Sequence, residues 1–67
     1  MSANNIILIR RYGKRYKVWV DDMDWAIGHN YKPPKNAEIY SDIDEATKVA
    51  EWIQNNDYIE YGIRIMH

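Results

Sequence analysis

Cysteine is absent from this 67-residue chain, which removes disulfides, thiolate zinc sites and thiol nucleophiles together. Long apolar runs are missing as well. The longest, Ile6-Ile7-Leu8-Ile9, is four residues, far from the ~20 that a membrane-crossing helix needs. The N-terminus carries no basic region followed by a long apolar stretch and a small-residue cleavage site, so a secretory leader is not expected and a cytoplasmic location is. Glycine is scarce, and Gly13, Gly28 and Gly62 stand too far apart for a phosphate-cradling loop. Hydroxyl nucleophiles are few: Ser2 sits in a polar tail, Ser41 precedes a helix where capping explains it, and Thr47 is the remaining one. His29 and His67 are in places that do not make a metal pair. Asp21, Asp22 and Asp24 cluster, but they lack the glycine and twelfth-position glutamate of a calcium loop and read as a solvated turn. No cofactor, metal or small-molecule substrate is inferred, and the expectation is a non-enzyme.

What is present is the composition of a globular domain, 46% hydrophobic and 28% charged. The length allows one domain over residues 1–67, and at this size folding buries only about 60% of the surface of the open chain. Residues 1–5 are polar and expected to fray, with structure beginning at Ile6. Residues 6–12 and 15–21 are β-branched and aromatic, and they flank Gly13-Lys14. That pair suits a two-residue type II′ hairpin, since glycine accepts positive φ at its first position. Partners then sum to 27. Ile7, Ile9, Val18 and Val20 share one face, and Leu8, Arg10, Tyr12, Arg15, Lys17 and Trp19 share the other. Residues 42–55 form a helix: Ile43, Ala46, Val49, Ala50 and Ile53 recur at helical spacing, Asp42 and Glu45 make a capping box, and Asn55-Asn56-Asp57 ends it. Residues 58–66 alternate as a strand with Ile59, Tyr61, Ile63 and Ile65 inward, and Glu38-Ile39-Tyr40 adds a short strand. The expected fold is α+β: a three- to four-stranded, mostly antiparallel sheet with one helix on one face, and the last strand beside the first.

Residues 21–37 form a long connector in which Met23, Trp25 and Ile27 alternate, consistent with a bent extension of the second strand. The helix covers one sheet face. Ile6, Leu8, Tyr12, Trp19, Tyr58 and Met66 are then left over on the opposite face, and a contiguous apolar set there predicts a contact surface, with Ile6, Leu8, Tyr12, Trp19 and Met66 as its interface residues. Two coverings are open: the connector itself, through Trp25, Ile27 and Tyr31, or another protein. A homodimer through the helix-free face is the simplest outcome of the second, with Leu8 and Trp19 as anchors.

Net charge is −1, yet residues 1–35 carry seven cations and three anions while residues 36–67 carry two and seven. Arg10, Arg11, Lys14, Arg15 and Lys17 lie in the hairpin, interleaved with Tyr12, Tyr16 and Trp19. Cations neutralise phosphates and aromatic rings stack on unpaired bases, so Arg10, Tyr12, Arg15, Lys17 and Trp19 form an alternative nucleic-acid surface. The hairpin followed by the capped stretch Tyr40–Ala46 resembles the sheet-plus-helix DNA readers of the integrase-arm type, whereas the long connector and last strand depart from that pattern. A pI near 6.0 is below the usual range of dedicated nucleic-acid domains.

Overall fold

A computed structural model describes residues 4–66. It contains β1 (Asn5–Tyr12), β2 (Arg15–Asp22), α1 (Met23–Gly28), β3 (Glu38–Tyr40), α2 (Ile43–Asn56) and β4 (Ile63–Met66). The strands form one sheet in the order β3-β2-β1-β4. Both β2 pairings are antiparallel, and β1 pairs with β4 in parallel. The α+β architecture expected from the sequence is therefore present, with the last strand beside the first.

The hairpin has the register its turn dictates. Leu8 faces Trp19 and Ile9 faces Val18. Gly13 has φ +61 and Lys14 does not join it on the positive side, the signature of a type II′ turn whose twist suits a two-residue loop. α2 begins at its expected cap, where an Asp42 carboxylate oxygen accepts from the Glu45 N–H at 2.8 Å. Among the described residues only this forward half of the capping box is formed. Ala46 and Ala50 are fully buried over Ile7, Ile9 and Val18, with Ile43, Ile53, Ile59 and Ile63 packed around them. Alanine at those two helix positions lets the backbone sit close to the sheet. Val20, expected in this core, is instead exposed, because β3 pairs only with Tyr16–Val18 and leaves the far half of β2 as an edge.

Two expectations at the chain ends change. The last strand starts at Ile63 and not at residue 58, because Gly62 takes φ +70 and breaks the extended run. Residues 58–61 are instead fastened to Asn5. Its side-chain N–H donates to the Tyr58 carbonyl at 2.8 Å, and its side-chain oxygen accepts from the Glu60 N–H at 3.0 Å. Its carbonyl accepts from the Tyr61 N–H at 3.1 Å. Fraying is likewise not seen at residues 4 and 5: the Asn4 carbonyl accepts from Met23 N–H at 2.7 Å and Asn5 opens β1. The expectations for residues 1–3, including Ser2, and for His67 lie outside the described residues.

Candidate functional site

The connector closes the face opposite α2, so the surface assigned to Ile6, Leu8 and Trp19 is internal. Ile6, Leu8, Trp19 and Ala26 form a second core, joined by Met23, Tyr31, Ala37 and Met66. Leu8 is 0% exposed and Trp19 6%, so both side chains are spent inside the chain's own second core and are not displayed as anchors on an open sheet face. The agent is α1, where a bent strand was expected. An Asp22 carboxylate oxygen accepts from Trp25 N–H at 3.1 Å and starts the helix. Helical spacing then turns Met23 and Ala26 inward and leaves Trp25 and Ile27 outside, 59% and 57% exposed. The covering side chains are thus Met23, Ala26 and Tyr31, and not Trp25 and Ile27. Trp19 Nε1 is buried without a hydrogen-bond partner among the described residues, a cost of about 1–3 kcal/mol set against the burial of the ring.

α1 ends in a Schellman arrangement: Tyr31 N–H donates to the Ala26 carbonyl at 2.7 Å and Asn30 N–H to that of Ile27 at 3.2 Å. Asn30 and Tyr31 both adopt left-handed φ, 53 and 56. Asparagine tolerates this readily and tyrosine does not, so the surroundings must hold Tyr31 there. Two arginines of the sheet do so. Arg10 donates to the Asn30 and Tyr31 carbonyls at 3.3 and 3.0 Å. Arg64 donates to the Tyr31 hydroxyl at 3.1 Å and lies over its ring at 4.7 Å.

This clasp also revises the nucleic-acid surface. Arg10 is committed to the connector and Trp19 is buried. Tyr12 is half-exposed, with Arg10 at 5.5 Å and Lys17 at 4.7 Å from its ring, while Arg15 stays exposed at the turn. Of the five residues proposed, Tyr12, Arg15 and Lys17 remain at the surface, and Met66 and Tyr12 are the partly accessible members of the predicted interface set.

The clearest concavity lies elsewhere, beside the far half of β2. A cleft of about 440 Å³ is lined by Trp19, Val20, Asp21, Trp25, His29, Lys32, Pro33 and Pro34. Trp25 and His29 stack at 3.8 Å with 17° between their planes, and His29 Nδ1 is 2.9 Å from the Trp25 carbonyl oxygen. Of the three clustered carboxylates Asp21 alone lines the cleft, and all three accept hydrogen bonds within the chain. Asp22 caps α1 and Asp24 accepts from the Asn4 amide at 3.1 Å. One Asp21 oxygen accepts from Asp22 N–H at 2.9 Å. Sequence reasoning missed this cleft, which arises where the eight-residue β2 outruns the three-residue β3. At the other end of the sheet, burial and the carboxylates of Glu38 and Glu45 raise the Tyr40 hydroxyl above its ordinary pKa.

Among the described residues no helix is long and apolar enough to cross a membrane. No protein-family model, curated protein or solved structure matches the chain.

Proposed function

We propose that this domain is a non-catalytic interaction module that receives another polypeptide in the cleft beside β2. One observation carries the reading: Val20, Trp25, Pro33 and Pro34 converge on the stretch of β2 that, among the described residues, has no strand neighbour on its β3 side. Two cores take up much of the apolar surplus of the sequence, and of the large apolar side chains left exposed, Val20 and Trp25 line this cleft. The cleft falls within the ~300–1,000 Å³ of ordinary binding pockets. Its walls suit binding because prolines and stacked rings are rigid and lose little entropy when a partner arrives.

The test is a selection of displayed random peptides against the folded domain, counter-screened with Trp25→Ala. That residue is exposed, so its loss leaves the cores intact. Binders that need Trp25 and shift the amides of residues 19–34 are expected. Binders indifferent to Trp25, or shifts confined to the hairpin tip, would refute the assignment. A second reading, stacking of single-stranded nucleic acid at the tip, draws on the half-exposed Tyr12 ring beside Lys17.

A further inference from the structure

We infer that the occupant of this cleft is an extended peptide that adds to β2 as a fifth strand and presents a lysine or arginine to Asp21. The inference rests on the cleft being the contact site. Hydrogen-bond directions in the sheet supply the first part. Ile7 N–H donates to the Gly62 carbonyl at 2.9 Å, toward β4. In an antiparallel ladder the groups of opposed residues alternate between facing each other and facing away. Ile7 therefore turns its polar groups away from its partner Val20, and Val20 turns its own N–H and C=O toward the β3 side. There β3 stops at Glu38, opposite Val18. The chain veers off at Ala37, whose N–H donates to the Pro34 carbonyl at 3.2 Å. Among the described residues the next ladder position along β2 is open, and Val20 lines the cleft there.

An extended backbone offers a donor and an acceptor to such a pair of groups, about 4.8 Å from β2. Pro33 and Pro34 cannot fill that role from within the chain, since neither has an N–H to give. Charge settles the side chain. Asp21 lies on the Trp19 face of β2 and lines the cleft, with one of its oxygens occupied by Asp22 N–H and the other not engaged by any described side chain or backbone group. Asp21 is thus the carboxylate in the cleft wall, with Lys32 as the cation of the same lining. His29 covers one face of the Trp25 ring, leaving the second for the cationic side chain.

The probe is the capped pentapeptide Thr-Val-Lys-Val-Thr, titrated into the isotope-labelled full domain. Two further versions carry N-methyl groups on alternate amides, one set in each, and a fourth has glutamate for lysine. Binding in the millimolar range or tighter is expected, with slowed exchange of the Val20 amide. One N-methyl set should abolish it and the other leave it intact. Glutamate should weaken it by about tenfold or more. Asp21→Asn, which retains an acceptor for Asp22 N–H, should reduce the lysine-to-glutamate preference to about twofold. No response at Val20 by about 5 mM peptide overturns the inference. So does equal binding of all N-methylated forms, which indicates side-chain docking and leaves the interaction module standing. Failure of every Trp25-dependent binder in the random selection overturns the module as well. Protection of Val20 without peptide, together with a dimer in sedimentation, assigns the edge to a second copy and overturns the partner named here.

Discussion

Replacing Leu8 by alanine asks whether the second face is core or surface. Leu8 is fully buried between Trp19, Ala26 and its neighbours on β1. Truncation at such a site costs about 2–5 kcal/mol, transfer and cavity terms together. A domain of this length has about 3–10 kcal/mol in all, so the variant should be near the edge of folding. With a urea slope of about 1 kcal/mol per molar for a small chain, a loss of 2–3 kcal/mol lowers the midpoint by about 2–3 M. Leu8→Val provides a graded second point, at about 1 kcal/mol. Tyr58→Ala, at a residue 72% exposed, should cost less than about 0.5 kcal/mol. Tryptophan fluorescence during urea titration measures all three. A Leu8→Ala loss below about 1 kcal/mol would show that the connector does not seal the face, and the description of two cores would fail.

Trp19→Phe should be far milder than Trp19→Ala. It removes the unpartnered Nε1 while leaving most of the ring volume, so the two opposing effects hold the change within about 1 kcal/mol, against about 3–5 for alanine; equal losses in denaturant titrations would contradict this. Arg10→Met should cost about 1 kcal/mol and speed hydrogen exchange at Asn30 and Tyr31; unchanged exchange there would remove the clasp as the reason for the left-handed turn. Asn5→Ala gives up two side-chain bonds to residues 58–60, a loss of about 1–2 kcal/mol by thermal melting, and a change under about 0.3 would mean the loop holds itself. The raised pKa of Tyr40 favours its neutral form in the folded state. The associated stability is full below the unfolded value of 10.0 and is lost as pH rises through the folded one. Tyr40→Phe should therefore lose less stability than wild type between pH 9 and 11 (about the range of tyrosine titration), and parallel alkaline profiles would refute the assignment.

Local chemistry made part of this fold legible. One glycine beside Lys14 set the hairpin register, and Asp42 with the stripe from Ile43 to Ile53 located α2 within a residue at each end. The strand at the chain's end was placed beside β1 correctly, but its length was overestimated, since side-chain alternation over 58–66 does not reveal that Gly62 turns left-handed. α1 was hidden because Met23, Trp25 and Ile27 alternate as a strand does, and six residues carry too little helical periodicity to compete. Asp22 was its cap all along. Nothing local announces Tyr31 in a left-handed conformation, because the arginines that hold it come from β1 and β4. The apolar surplus was read correctly as needing a cover. The cover turned out to be the connector, by way of Met23 and Ala26. The cleft escaped notice because it is defined by where β3 stops, a property of pairing that hydrophobicity does not encode.

The parallel seam between β1 and β4 imposes an order of events during synthesis. β1 leaves the ribosome early, and its hairpin with β2 can close in about 1–10 μs. At about 5–20 residues per second, the partner for its other flank arrives roughly three to ten seconds later. Throughout that interval the most greasy strand of the protein has one side bare, fit to pair with a neighbouring nascent chain. A chain interrupted before Ile63 would carry a half-zipped sheet, and the arrival of residues 63–66 is the event that covers this flank of β1.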